Sequence, residues 1–377
     1  MAAVTEEDLA RLAESGVYDP LAADAGDQRR LIEQLVAEGL TVDDLARSNR
    51  VGNLVIRAFE HLIQPGERTT VAAAAAAAGL TVERVLLVRR AWGFPDPPPD
   101  HACFTPSEIA ALEFFRDMAG FVGPDLALHF ARVMGTATSR LAEAEIALVR
   151  SQLEAPMQGR HESGASILGA YASVMQSLFP AALRTFDALH RAHLVWLGRR
   201  YTEGALPPSD KNVLDLVVGF ADLTHSTALV QRMDLAGLDA AITAFETVTS
   251  DLLAEAGAPV VKRLGDGVMF VTSLPDKACA VALDLVDAFR HHAVAPPVRV
   301  GLAAGRVAAL RGDFFGLPVH LAARIVATAA PSTVLVSGEV RDRIEAAGAR
   351  VLVGPAGPHR LAGFAEPVDL YRLERIV

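Results

Sequence analysis

The 377-residue sequence has only two cysteines, Cys103 and Cys279. Two cysteines cannot form the disulfide framework that stabilises small secreted domains, and they are too few for a cysteine-based zinc site. The opening residues, MAAVTEEDLA, lack the basic start and the apolar stretch of a secretory signal. These absences together predict a cytoplasmic protein.

Long apolar runs are also missing. The longest run of small apolar residues, Val71 to Ala78, ends at Gly79, whereas a bilayer-spanning helix needs about 20 apolar residues. Hydrophobic residues still make up 51% of the chain, which is enough for ordinary globular cores. We therefore expect no membrane partner, and the length of the chain predicts two or three domains.

Basic residues are fewer than acidic residues. Lys and Arg number 35 against 45 Asp and Glu, which gives a formal net charge of −10. Binding to a phosphate backbone without sequence preference needs clustered positive charge, so nucleic acid is not an expected partner. Small anionic substrates remain compatible with this charge, because metal ions can offset local carboxylates.

Helical patterns dominate residues 1–204. Apolar residues recur at helical spacing in Asp27–Glu38, and Thr41 followed by two aspartates is typical of a helix start. The segment Gly93–Asp100 (GFPDPPPD) cannot continue a helix and can mark a break between subdomains at 93–101. At Thr105 the sequence TPSE again predicts a helix N-terminus. We expect an all-α domain.

The composition changes after residue 204. Residues 205–212, within the sequence EGALPPSDKN, are predicted to be a linker. From residue 213 to 377, short β-rich runs alternate with helical segments, and Gly265-Asp266-Gly267 predicts a tight hairpin. This pattern indicates an α/β domain of the ferredoxin-like class with a mixed or antiparallel sheet. The predicted strands are Val213–Phe220, Pro259–Leu264, Val268–Thr272, Val298–Leu302, Thr333–Val336 and Val368–Leu373, and the predicted helices are Ala236–Ala256, Asp276–His291 and Val319–Ala329.

Two short acidic motifs carry candidate chemistry. In FADLTHST, residues 220–227, Asp222 ends an apolar strand, and in KRLGDG, residues 262–267, Asp266 lies on a hairpin turn. If the two strands are neighbours, the two carboxylates face each other at one edge of the sheet. Paired carboxylates holding magnesium are a common arrangement for phosphoryl chemistry. Each motif taken alone is more typical of a strand-end cap or an Asp-Gly turn than of a metal site.

Three further segments complete a recognisable order. They are Val298–Arg306 (VRVGLAAGR), Gly312–Gly316 (GDFFG) and Val319–Arg324 (VHLAAR). With the two acidic motifs, they give the pattern F-x-D-L-x-x-S-T, K-x-x-G-D and G-D-x-x-G-x-x-V-x-x-A-A-R. Residues 212–373 therefore resemble the catalytic domain of class III adenylate and guanylate cyclases. The resemblance implies an adenylate cyclase, a phosphorus–oxygen lyase that converts ATP into cyclic AMP and pyrophosphate.

The resemblance also implies the metal site. Asp222 and Asp266 match the two metal-binding aspartates of the family, and the main-chain carbonyl of Leu223 completes the ligand set. These groups would hold two Mg²⁺ or Mn²⁺ ions per active site. One ion would lower the pKa of the ribose 3′-hydroxyl, and the other would bind the triphosphate and stabilise the leaving pyrophosphate.

Lys262 and Asp313 match the pair of residues that selects the base. Adenine presents an acceptor at N1 and a donor at N6, which a lysine donor and a carboxylate acceptor complement, whereas guanine presents the reverse pattern. Arg324 matches the arginine that stabilises charge on the phosphate during ring closure. In this family one subunit supplies the metal aspartates and the other supplies the remaining residues. A chain with both sets predicts a head-to-tail homodimer and an inactive monomer.

Two departures from the family pattern bear on the site. His320 stands where the family usually has the asparagine that orients the ribose, and it can still donate one hydrogen bond. The last hairpin reads Leu361-Ala362-Gly363 where the family commonly has a phosphate-binding basic residue. Arg360 lies next to this position, and Arg311 can supply phosphate contact instead. We expect reduced or pH-dependent activity.

The helical half resembles the regulatory domain of certain actinobacterial soluble cyclases. Its role would be to set the relative position of two catalytic domains. We expect Phe186–Tyr201 to transmit this signal. Its histidines, His190 and His193, suggest regulation by pH, since histidine titrates near neutral pH.

Two other interpretations stay open. Thr70–Trp92 has the pattern of a helix-turn-helix with Arg84, Arg89 and Arg90 in its second helix. The chain could then be a DNA- or protein-binding regulator, or a nucleotide sensor with an impaired cyclase-like domain. A lipid-like ligand enclosed by apolar helices is a further alternative.

Overall fold

The computed structural model describes residues 4–37, 40–47, 63–64, 66–203, 213–224, 234–310 and 312–376. The chain divides into two compact units, Met1–Gly204 and Ala205–Val377. The first unit is helical throughout its described part, and the second is built on one mixed sheet. This is the expected fold class, an all-α region followed by an α/β domain.

The helices of the first unit begin at the predicted signals. Thr41 and Thr105 both cap a helix, each in a reciprocal arrangement with the acidic residue three positions later, and Pro106 occupies the first turn. The described helices are α1 Glu6–Glu14, α2 Ala25–Ala37, α3 Val42–Ala46, α4 Val71–Ala78, α5 Val82–Ala91, α6 Pro106–Val122, α7 Pro124–Val149, α8 Ala155–Gly159 and α9 Gly164–Glu203, with a π-helical turn, Arg150–Glu154, between α7 and α8.

Two hydrophobic clusters stabilise this unit. One joins α1, α2 and α3 to the start of α9, and it includes Leu12, Ile32 and Leu168. The other joins α4, α5, α6 and α7, and it includes Val85 and Phe115. The proline-rich segment at 93–101 therefore connects helices that share one cluster, because α5 before it and α6 after it pack together.

The second unit contains an eight-stranded sheet. Its strand order is β2-β3-β1-β4-β6-β8-β7, with β5 paired to β4, and every pair is antiparallel except β4–β6. The strands are β1 Val213–Leu223, β2 Val260–Leu264, β3 Gly267–Thr272, β4 Val298–Leu310, β5 Asp313–Phe315, β6 Val334–Ser337, β7 Val351–His359 and β8 Val368–Arg375. The helices are α10 Leu235–Glu255, α11 Pro275–Phe289, α12 Leu317–Thr328 and α13 Gly338–Ala347.

Helices cover both faces of this sheet. Alternate residues of β1 point to opposite sides, so Val217 packs in a cluster with residues of α10, α11 and α13, whereas Val218 packs in a cluster with α12. Gly301 on β4 lets α12 approach closely, because a Cβ atom there would lie 2.4 Å from the Val326 nitrogen. The sheet thus holds α12 at a fixed distance from the end of β1.

Within the part of the chain that the structure describes, no single helix has both the length and the apolar character needed to cross a membrane; two bent helix pairs meet that test only when their members are combined.

Candidate functional site

The two predicted aspartates lie at the same end of the sheet. Asp222 is the penultimate residue of β1, and its partner on β3 is Gly267, the residue after Asp266. The Leu223 amide donates a hydrogen bond to the Asp266 carbonyl oxygen at 3.1 Å, which closes the hairpin turn against the end of β1. A side chain at Gly267 would come within 3.4 Å of Asp222 Oδ1. The glycine therefore keeps the space beside the carboxylate open.

Arg299 is a member of this site that the sequence analysis missed. It lies directly opposite Asp222 on β4. Its Nε and Nη2 both donate to Asp222 Oδ2, at 3.1 and 2.7 Å, and its Nη1 donates to the Ala327 carbonyl oxygen of α12 at 3.0 Å. The arginine is visible in the VRVGLAAGR motif, but its role depends on the register between β1 and β4.

The electrostatics of Asp222 suit a cation. Burial raises the pKa of the Asp222 carboxyl above its ordinary value; the hydrogen bonds from Arg299 oppose this rise, and the negative charge of Asp266 adds to it. Carboxylate oxygens are the ligands that magnesium and manganese prefer. The described residues contain no group of three or more His, Cys, Asp or Glu side chains arranged to hold a metal. Asp222, Asp266 and the main-chain carbonyl of Leu223 remain the candidate ligands for such ions.

Lys262 and Asp313 form a second cluster. The Lys262 ammonium donates to Asp313 Oδ2 at 2.5 Å, although the two residues lie 51 positions apart. Asp313 Oδ1 accepts a hydrogen bond from the Phe314 amide at 2.8 Å, which fixes the orientation of the carboxylate. The side chains are 32% and 28% exposed, so a ligand can still reach the pair.

His320 and Arg324 lie on the exposed side of α12, one turn apart. The opposite side of this helix packs on the sheet through Ala322, Ile325 and Val326. The spacing of four residues thus gives the shared face that the sequence predicts. Arg311 and residues 225–227 of the first acidic motif lie outside the described residues. Arg360, in the last hairpin, is exposed.

The helix-turn-helix pattern forms, but its arginines are engaged within their own unit. Helices α4 and α5 meet at 98°. Arg84 donates to the Pro124 carbonyl oxygen at 3.3 Å and Arg89 to that of Pro95 at 3.0 Å, while Arg90 pairs with Asp96 at 2.8 Å. These contacts use the charges that a DNA-binding helix would direct at phosphates.

The predicted transmission segment lies in the second half of α9. Side chains from Leu183 to Arg199 are exposed, including His190 and His193. The ring of His190 stacks on that of Phe186, with centroids 6.2 Å apart and planes at 7°. Both histidines are therefore accessible to solvent.

Comparison with known protein families covers most of the chain. Residues 11–186 match the family described as adenylate cyclase regulatory domain. Residues 210–373 match the family described as adenylate and guanylate cyclase catalytic domain. The second match contains Asp222, Lys262, Asp266 and Asp313.

Three relatives match most of the chain. An uncharacterized protein of Mycobacterium tuberculosis (strain H37Rv) is 34% identical over 97% of this chain and 94% of its own length. An adenylate cyclase of Streptomyces coelicolor is 33% identical over 74% of this chain and 72% of its own length. A protein of M. tuberculosis (strain CDC 1551) named pH-sensitive adenylate cyclase is 28% identical over 98% of this chain and 94% of its own length.

Proposed function

The chain belongs to the class III adenylate and guanylate cyclases, in the actinobacterial group with an N-terminal adenylate cyclase regulatory domain, and we propose that it converts ATP into 3′,5′-cyclic AMP and pyrophosphate at a site shared by two copies of the chain. The observation that carries this proposal is the contact of 2.5 Å between Lys262 and Asp313. One donor and one acceptor held side by side complement N1 and N6 of adenine, and they mispair with guanine.

The metal end of the site is assigned to Asp222, Asp266 and the Leu223 carbonyl. Divalent cations held there, magnesium or manganese, would supply Lewis acidity to activate the ribose 3′-hydroxyl and to stabilise the departing pyrophosphate. The chain's own contribution is to hold the carboxylates. Arg299 orients Asp222 by two hydrogen bonds, and the closed hairpin orients Asp266.

The remaining residues bind and orient the nucleotide. Lys262 donates to adenine N1 and Asp313 accepts from N6, and because a lysine ammonium has three donors it can do so while it keeps its bond to Asp313. Arg324 stabilises the negative charge that develops on the α-phosphate, and His320 donates to the ribose. Arg311 or Arg360 contacts the triphosphate.

A second copy of the chain completes each site in this proposal, by head-to-tail association of catalytic domains. Exposed apolar side chains on the second unit support such an interface, since they are 41–66% exposed in a single chain. They are Leu264, Leu310, Phe315 and Leu317.

We assign pH-dependent control to the N-terminal domain. Protonation of His190 and His193 would add charge to α9 next to Asp187 and Arg191, which form an ion pair at 2.8 Å. Added charge would favour one of two positions of the catalytic domains. The name of one relative, a pH-sensitive adenylate cyclase, supports this assignment.

Mixing two inactive variants tests the shared site. Asp222→Ala and Arg324→Ala should each abolish cyclic AMP formation as homodimers, whereas co-expression should restore one working site per heterodimer. A mixture that stays inactive, with dimers present by sedimentation, would contradict the shared site. ATP binding without any product from the wild-type protein would instead favour a nucleotide sensor, the alternative that His320 and the non-basic last hairpin suggest.

A further inference from the structure

Arg299 connects two elements that serve different active sites. Two of its nitrogens bind the carboxylate of Asp222 at the end of β1, and its third binds the carbonyl oxygen of Ala327 in the last turn of α12. The Arg299 side chain is 26% exposed, and its guanidinium group has a hydrogen-bond partner on each of these two elements. The rigid planar guanidinium can serve both partners at once, which the single ammonium of a lysine cannot do in the same geometry.

The contact with Arg299 gives a partner to the Ala327 carbonyl, one of the last carbonyl groups of α12. The last carbonyl groups of a helix have no intrahelical donors, and they carry the negative end of the helix dipole. A half-buried cation such as Arg299 is a favourable partner for this end. Ala327 lies three residues after Arg324, so a hold on its carbonyl also limits rotation of the turn that carries Arg324.

The packing of α12 on β4 shows which movements of the helix the contact between Arg299 and Ala327 can restrain. Gly301 sets the distance of the helix from the sheet, because the Val326 nitrogen would lie only 2.4 Å from an added Cβ. Sliding along β4 and rotation about the helix axis are the remaining freedoms. Arg299 restrains both at the C-terminal end of the helix.

We propose that Arg299 is a positioning residue for both active sites of the dimer. It orients Asp222 in the site to which its own chain gives the carboxylates, and through Ala327 it orients Arg324 in the other site. This inference rests on the proposed function, since it requires sites shared between two chains.

The heterodimer of Asp222→Ala and Arg324→Ala chains separates the two roles. Its one working site takes Asp222 from the Arg324→Ala chain and Arg324 from the Asp222→Ala chain. Arg299→Gln placed on the Asp222→Ala chain can reach the working site only through α12. We expect kcat to fall roughly tenfold there, since misplacement of a catalytic group by about 1 Å can cost 10²-fold, while the KM for ATP changes less than about twofold.

Arg299→Lys and hydrogen exchange provide the matched controls. On the Arg324→Ala chain, where Asp222 is present, the charge of Arg299→Lys beside that carboxylate should restore part of the activity lost with Arg299→Gln. In the nucleotide-free Arg299→Gln homodimer, amides of α12 should exchange faster than in wild type, and amides of α11 should be unchanged.

The possible outcomes distinguish failure of the shared site from failure of the proposed role of Arg299. If the parent heterodimer is inactive, the shared site and this inference both fail. If the parent is active, Arg299→Gln on the Asp222→Ala chain leaves kcat unchanged, and the Arg299→Gln homodimer shows wild-type exchange in α12, then the shared site stands and Arg299 acts only locally beside Asp222.

Discussion

Replacing Gly301 by alanine tests whether α12 must lie close to the sheet for activity. The added Cβ atom would lie 2.4 Å from the Val326 nitrogen, 2.8 Å from the Ala322 carbonyl oxygen and 2.9 Å from the Val326 Cα. All three neighbours are backbone atoms, so no side-chain rotation can relieve the overlap. The helix itself has to move away from β4.

The size of this movement follows from the distances. Ordinary contacts of a Cβ atom begin at 3.4 Å, so the helix must retreat by about 1 Å at Val326. Overpacking of this kind costs about 1–3 kcal/mol of unfolding free energy. Arg324 lies two residues before Val326 and moves with it, and a 1 Å misplacement can lower catalysis by about 10²-fold.

The assay pairs steady-state cyclic AMP formation with urea unfolding, and Gly354→Ala is the matched control. Gly354 lies on β7, and an added Cβ atom there meets nothing within 4 Å. We expect this control to keep wild-type kcat and stability. A Gly301→Ala protein with wild-type kcat at any stability would refute the link between helix position and catalysis.

Three further predictions address base choice, ribose contact and regulation. Lys262→Glu should lower kcat/KM for ATP by about 10²-fold or more relative to GTP, because a carboxylate cannot donate to adenine N1; an unchanged ATP-to-GTP ratio would remove Lys262 from base recognition. His320→Asn should raise kcat several-fold, by up to about tenfold, because the smaller amide should orient the ribose better. A fall in kcat would contradict this prediction and would show that the site is adapted to histidine. His190→Asn with His193→Asn should flatten the pH–activity profile between about pH 5 and 8, while His161→Asn, at a turn before α9, should not; a profile that keeps its wild-type shape in the double variant would exclude these histidines.

Local signals in the sequence were sufficient for most elements of the second unit. The predicted helices agree with α10, α11 and α12 to within two residues at each end. All six predicted strands are present, although β1 continues to Leu223 and β4 to Leu310. Alternating apolar residues specify such strands, but their ends depend on pairing with neighbours, as β5 pairs with the last residues of β4.

Elements without a local signal were missed. Strand β7 contains Pro355, Pro358 and two glycines, which are residue types typical of turns. A strand can contain these residues here because β7 lies at the edge of the sheet. Helix α13 was missed as well, although Ser337 caps its N-terminus and Gly348 ends it. Tertiary packing on α11 and β6, beyond its weak apolar pattern, stabilises this helix.

The sequence identifies candidate residues of the site, but it does not predict the contacts between them. The motifs identify Asp222 and Asp266, and the hairpin between β2 and β3 brings them to one end of the sheet as expected. The contact of Arg299 with Asp222 depends on the register of two strands far apart in sequence, which no local pattern gives. The contacts of Arg89 and Arg90 on α5 could not be predicted for the same reason, since their partners Pro95 and Asp96 come from a loop that folds back on the helix.

Cyclic AMP formation by the purified full-length protein, with ATP and manganese, is the most direct test of the central claim. We expect metal-dependent product that disappears with Asp222→Ala, while the variant keeps the wild-type unfolding transition. Product formation that survives Asp222→Ala, or no product from a folded dimeric wild-type protein at any pH, would contradict it.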